Sequence, residues 1–229
     1  MKIGIIGAMA QETKLLLEQM VDVTTEVKHH LTFYSGTLQN REVVLVQSGI
    51  GKVASAIATT LLVTHFSIDY VINTGSAGSL NPNLHIGNVV ISNQVAYHDV
   101  EATAFGYQHG QVPQMPLYYV ADERLINAAT KALNTIQSTR FVGEIVSSDS
   151  FIAEKSKIED IKEHFPNALC TEMEGASIAQ ACHILNVPFI VIRAISDNAN
   201  EEAHMTFDEF IILAGETSAK MVMNMLTHL

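Results

Sequence analysis

The chain has 229 residues, of which 48% are hydrophobic and only 16% charged, against roughly 25% charged in ordinary soluble domains. A formal net charge of -11 argues against a protein that grips nucleic-acid phosphates through basic side chains. The only two cysteines, Cys170 and Cys182, sit in apolar contexts and read as reduced core thiols of a cytoplasmic protein, and no apolar run approaches the ~18 residues of a membrane span.

Residues 2–9 read as a buried strand ending in a tight turn, followed by a helix from Gln11 to Met20. Lys2 is the only basic residue before a short apolar run broken by Gly4 and Gly7, which is not the pattern of a secretory leader. The same opening fails as a dinucleotide fingerprint, because Gly7 is followed by Ala8-Met9-Ala10 where close backbone approach to a pyrophosphate needs glycine. Glu12 falls at the strand-to-helix junction, either as a first-turn acid facing water or as a base at the mouth of a sheet. Strands are predicted over Lys28–Ser35 and Glu42–Gln47, with Gly36 to Asn40 as the turn between them. Ser48-Gly49-Ile50-Gly51-Lys52 then leads into a helix from Val53 to His65; its glycine spacing and the Val53 after Lys52 do not match a phosphate loop, so it reads as a glycine-lined turn.

Asp69 to Thr74 is a buried strand ending in Gly75-Ser76-Ala77-Gly78-Ser79, where small residues let a ligand touch the backbone. A strand from Gly87 to Ala96 follows. Residues 100–119 break the rhythm with Phe105, Tyr107, Pro113 and Pro116, a loop long enough to be functional or interfacial. Asp122 caps a helix running to Ile136. Phe141 to Ser147 is a strand leading to Phe151-Ile152, and Lys155 to Phe165 a charged surface helix. Ala168 to Glu172 is an apolar entry into two carboxylates, Glu172 and Glu174, which in an extended chain share a face with Met173 opposite. Two acids ahead of the helical run Ser177–Leu185 also suit a helix N-terminus, so both roles stand. Val187 to Ile195 is the last strand, closed by Ser196-Asp197-Asn198-Ala199; a helix from Phe207 to Leu229 ends the chain. Arg193 lies inside that apolar strand and therefore needs an acidic partner such as Glu12.

Strands alternating with helices define an α/β protein: one domain over residues 1–229, an α/β/α arrangement with a twisted, mixed central sheet flanked by helices. Ten scattered histidines without His-x-x-x-His or Cys-x-x-Cys spacing assign no metal, and no cofactor is expected. Polar residues gather at predicted strand ends: Glu12, Ser76, Glu172, Glu174, Arg193, Ser196 and Asp197.

Asn-Thr-Gly-Ser-Ala-Gly at 73–78, Thr-Glu-Met-Glu-Gly-Ala at 171–176 and Arg-Ala-Ile-Ser-Asp at 193–197 resemble the purine nucleoside phosphorylase and uridine phosphorylase superfamily over essentially the whole chain. Gly-Ala-Met-Ala-Gln-Glu at 7–12 resembles, within it, the 5′-methylthioadenosine/S-adenosylhomocysteine nucleosidases. The resemblance implies that Asp197 protonates adenine N7, with Ser196 in support, and that Glu12 deprotonates a water helped by Ser76 and Arg193. It implies that Glu174 and Met173 bind the ribose hydroxyls, that Gly78 and Glu172 belong to the same substrate-binding set, that Phe151 stacks on adenine, and that the Ile152 backbone reads the base edge. Met9, Ile50 and Phe207 would line the sugar and alkylthio region. Phe105 and Pro113 would come from the neighbouring subunit of a homodimer.

These residue types suit the chemistry independently. Breaking a ribose–adenine bond expels a poor anion from a carbon that becomes cationic, so an acid must protonate the base and a carboxylate must serve the water on the other side. A carboxylate offers the two acceptors that a ribose diol requires. Phosphorolysis is the alternative, but a phosphate nucleophile calls for clustered arginines; residues 73–79 contain none, Glu12 occupies the nucleophile side, and Arg193 alone keeps that alternative open. Expected partners are small nucleoside thioethers and a second copy of the chain, with neither nucleic acid nor membrane.

Overall fold

The computed structural model describes residues 1–135, 141–198 and 203–229. The expected helix end at Ile136 and the turn residue Ala199 lie outside the described residues. In chain order the elements are β1 (Lys2–Gly7), α1 (Ala10–Gln19), β2 (Val21–Lys28), β3 (Leu31–Leu38), β4 (Arg41–Gln47), α2 (Lys52–Phe66), β5 (Tyr70–Ser79), β6 (Val89–Tyr97), β7 (Tyr119–Val120), α3 (Glu123–Thr135), β8 (Phe141–Ser147), α4 (Lys155–His164), β9 (Ala168–Glu172), α5 (Gly175–Leu185), β10 (Phe189–Asp197) and α6 (Ala203–Leu226).

The strands form one mixed sheet in the order β10-β6-β8-β9-β5-β1-β4-β3-β2, with β7 paired to β6. β10 also pairs with β5, so β10, β6, β8, β9 and β5 close into a ring while β1 to β4 extend from β5 as an open wing. Closure removes two sheet edges and brings the carboxyl end of β5 against β9 on one side and β10 on the other. β5 is the strand both parts share: Val71 and Ile72 pair β1 and β10 alike.

Period-two patterning sends alternate residues to opposite layers. Val43, Leu45, Ile72, Ile190 and Ile192 pack with Leu16, Leu125, Ala219 and Val222 of α1, α3 and α6. Val44, Val46, Val71, Val191 and Ile195 pack with Ala58 and Leu62 of α2 and Ile178, Ala179 and Cys182 of α5. The α/β/α expectation holds, and Asp122 caps α3 as expected, its Oδ1 accepting from Arg124 N at 2.9 Å and Leu125 N at 3.2 Å.

Three boundaries differ from expectation. β2 has no counterpart in the predicted elements: Val21–Lys28 carries β-branched residues but buries none of them, so no hydrophobic alternation marks it. Gly36 lies inside β3 rather than in a turn, where a Cβ would come within 2.7 Å of the Val21 carbonyl oxygen. The turn is Gln39-Asn40, both at positive φ (50° and 60°), the geometry of a tight hairpin loop. β5 does not stop at Thr74 but runs on through the small residues to Ser79, because Gly75 to Gly78 pair with Arg193 to Asp197 across the ring.

Candidate active site

A cavity of about 280 Å³ opens where β1, β5, β9 and β10 end. It brings together Met9, Glu12, Ile50, Ser76, Gly78, Phe151, Glu172, Met173, Glu174, Ser196, Asp197 and Phe207 from the sequence expectation. Ile152 lines a small side chamber that shares Gly78, Phe151, Glu172, Met173 and Asp197 with it. Ala8, Ala77 and Thr171, which were not named as site residues, also line the wall; each lies beside a predicted site residue and inside one of the three motifs at 7–12, 73–78 and 171–176. Phe105 and Pro113 line neither chamber in a single chain, and Phe105 is 83% exposed.

Glu12 sits in the first turn of α1, buried to 2% exposure. Its Oε2 accepts from Ala8 N at 2.8 Å and Met9 N at 3.1 Å, and its Oε1 accepts from Ser76 N at 2.9 Å and Ser76 Oγ at 3.2 Å. Four donors therefore fix the carboxyl plane, and Glu12, although in the first turn of α1, is turned into the cavity and does not face water. Asp197 ends β10 after a register shift between Ile195 and Asp197, an irregularity of the kind that re-aims a side chain. Ser196 Oγ donates to Asp197 Oδ2 at 2.9 Å.

Glu172 and Glu174 divide the two roles left open in the sequence. Glu172 Oε2 accepts from the backbone N–H groups of Glu174 (3.0 Å) and Gly175 (2.7 Å) at the start of α5, and Ser147 Oγ donates to Oε1. Arg193 Nη2 also donates to Glu172 Oε2, so this carboxylate ties β9, α5 and β10 together and serves as a brace on the cavity wall. Glu174 keeps more acceptor capacity: Gly51 N donates to its Oε1 at 2.9 Å, and Arg193 Nη2 lies 3.5 Å from Oε2. Burial, then repulsion from Glu172, push the Glu174 carboxyl up to about 8 despite Arg193.

Arg193 is fully buried, and its ion-pair partners are Glu172 and Glu174 rather than the expected Glu12. It stands behind the cavity wall, with Asn73 Oδ1 also accepting from Nη2 at 2.7 Å. Burial works against its charge, but Glu172, Glu174 and Glu12 outweigh it and hold the guanidinium protonated. Glu12 is nonetheless close by: a Cβ on Gly75 would lie 2.2 Å from Arg193 Nη1 and 2.6 Å from Glu12 Oε1, so the two groups converge on the space that the missing side chain leaves open.

The glycine turn before α2 carries no phosphate-loop geometry. Lys52 Nζ is committed to Asp99 at 2.7 Å and approaches Asp149 at 3.8 Å, while Lys52 N donates to Asp149 Oδ1 at 2.8 Å. The turn carrying Ile50 is thereby tied to the segment carrying Phe151, whose ring meets Phe207 edge-on at 5.5 Å.

With this cavity at the carboxyl ends of its strands, the chain is a protein of the phosphorylase superfamily, whose family model matches residues 2–227. Within that class the chain belongs to the 5′-methylthioadenosine/S-adenosylhomocysteine nucleosidase family. It is 51% identical to the nucleosidase of that name from Staphylococcus carnosus (strain TM300), covering 99% of this chain and 100% of the relative. Its fold matches the S-adenosylhomocysteine nucleosidase of Streptococcus pyogenes in complex with 5-methylthiotubericidin (TM-score 0.98, 47% identity, 100% of this chain and 97% of that one). It equally matches the Neisseria meningitidis enzyme in complex with methylthio-immucillin-A (TM-score 0.98, 45% identity, 100% and 99% covered).

Proposed function

We propose that the protein hydrolyses the N-glycosidic bond of 5′-methylthioadenosine and S-adenosylhomocysteine, and of 5′-deoxyadenosine, releasing adenine and the 5′-substituted ribose. One observation carries hydrolysis over phosphorolysis: among the described residues, the cavity wall presents Glu12, Glu172, Glu174 and Asp197 but no lysine or arginine. A phosphate dianion entering there would meet carboxylates rather than the arginine forks that bind it. Water is the nucleophile such a site tolerates.

In this reading Asp197 gives its proton to adenine N7, and the Ser196 hydroxyl on its Oδ2 sets the carboxyl's orientation. Glu12, held by four donors, accepts a proton from the water that attacks C1′, and its charge favours the cationic sugar of the transition state. Arg193 supports the water indirectly, by holding the acidic wall in place. Glu174 takes the ribose hydroxyls beside Met173. Phe151 stacks on adenine, Ile152 reads its edge, and Met9, Ile50 and Phe207 receive the 5′-thioether.

Residues 1–229 act as one nucleosidase domain in this reading, because the cavity draws on residues from Ala8 to Phe207. The exposed Phe105 and Pro113 fit a homodimer in which each chain completes the other's site. The free, buried Cys170 and Cys182, whose thiols burial pushes up, fit a reducing compartment, hence the cytoplasm.

The test is incubation with 5′-methylthioadenosine in phosphate-free buffer, with products separated by chromatography. Free adenine and methylthioribose are expected. Product that forms only on addition of phosphate, as methylthioribose-1-phosphate, would overturn the assignment of Glu12.

A further inference from the structure

Away from the cavity, one cluster of ligand-type side chains has no part in this chemistry. Asp160 and His164 stand one helical turn apart on α4, on one face. The loop after β6 brings His109 onto them, its ring stacked on that of His164 at 3.9 Å between centroids. One potential ligand atom from each of His109, Asp160 and His164 lies within 4.8 Å of the others.

The surroundings of His109 call for a cation. Its Nε2 lies 2.8 Å from the His98 carbonyl oxygen and its Nδ1 3.2 Å from Glu101 Oε2. Both neighbours accept only: one is a backbone carbonyl, the other a carboxylate that takes hydrogen bonds from the Thr103 hydroxyl and backbone N–H. A neutral imidazole has one N–H and can satisfy one of two acceptors, leaving a lone pair aimed at an oxygen. A metal ion on the nitrogen resolves it and uses the neighbouring groups. His164 is prepared similarly, since its Nδ1 lies 3.0 Å from the Asp160 carbonyl oxygen, which leaves Nε2 as the free lone pair.

We propose that His109, His164 and Asp160 bind a divalent transition-metal ion of the Zn²⁺ or Ni²⁺ type, with the Glu101 carboxylate beside it. Imidazole and carboxylate oxygen are the donors such ions take. The His98 carbonyl is the partner that commonly orients a metal-binding histidine through its other N–H. Asp160 and His164 are exposed and His109 half-buried, so the donors can turn onto an ion without disturbing the core. The spacing is invisible to a search for His-x-x-x-His, because the third donor comes from a loop 51 to 55 residues earlier in the chain, as the numbering of the three residues shows. A bound ion would fasten the loop that carries Phe105 to the last turn of α4.

Calorimetric titration of the full chain with Zn²⁺, and visible spectra with Co²⁺ as a coloured substitute, test this. One ion per chain is expected for the wild type. Affinity should fall by about tenfold or more in His164→Ala and in His109→Ala, and stay unchanged in His228→Ala, which alters an exposed histidine outside the cluster. His164 is exposed, so its replacement does not threaten folding. Absence of binding to the wild type, or equal affinity in His164→Ala, would overturn the site.

Discussion

The guanidinium of Arg193 and the carboxylate of Glu172 meet as an enclosed ion pair, their side chains 1% and 2% exposed. The two residues sit on β10 and β9, which do not pair with each other; β5 lies between them and contributes Asn73 to the same Nη2. The pair therefore spans the closed part of the sheet and fixes the wall on which Glu174 stands. Such pairs add little stability relative to apolar packing, but removing one partner leaves an uncompensated buried charge.

Arg193→Met is accordingly expected to destabilise the protein by about 3–5 kcal/mol, through Glu172 and Glu174 left facing each other without a cation. Urea unfolding of the variant against wild type gives the number. A loss under about 1 kcal/mol would mean that the pair behaves like a screened surface bridge.

Gly75→Ala is expected to fold less stably, by about 1–3 kcal/mol, and to lose turnover. The added Cβ meets Arg193 Nη1 at 2.2 Å and Glu12 Oε1 at 2.6 Å, and neither group is free to retreat, since each is held by its own hydrogen bonds. A misplacement of that size at a reacting group costs about a hundredfold in rate. Adenine release from a variant shown to be folded by circular dichroism reads the effect; an unchanged kcat would show that Glu12 need not hold this position.

Asp197→Asn and Glu12→Gln preserve shape and remove the proton donor and the proton acceptor. Each should lower kcat by about 10²–10⁴-fold while leaving binding of a non-hydrolysable nucleoside measurable by calorimetry. Wild-type turnover in either variant would take that residue out of its assigned role.

Glu174 supplies a pH signature. Its folded carboxyl is raised from 4.5 to about 8, first by burial and then by Glu172. Between those values the folded chain keeps a proton that the unfolded chain has released, so this contribution to stability is present at low pH and declines as pH rises from about 4.5 to about 8. Thermal midpoints from pH 5 to pH 9 should therefore fall more steeply for wild type than for Glu174→Gln. Parallel slopes would show that the group titrates alike in both states.

Much of the site was legible because its residues fall at the ends of recognisable strands. Gly7 to Glu12, Asn73 to Gly78, Thr171 to Ala176 and Arg193 to Asp197 each carry small or polar residues where an apolar run stops, and in α/β sheets such ends face a common crevice. The exposed strand β2 left no trace, since Val21–Lys28 has no buried face to impose a pattern. Spacing alone did not separate Glu172 from Glu174, because it puts both on one side of a strand while β9 ends at Glu172 and α5 begins at Gly175.

By itself the sequence determined the layers, through the alternation that separates Val43 and Leu45 from Val44 and Val46, and it determined which chemical groups reach the strand ends. The tertiary structure decided which of those groups touch. The pairing of β10 with β5 closes the ring and gives Arg193 to Glu172 and Glu174, with Glu12 close by over Gly75. The fold of α4 against the loop after β6 stacks His109 on His164. Both outcomes depend on contacts between segments far apart in the chain, and local periodicity carries no information about distances of that kind.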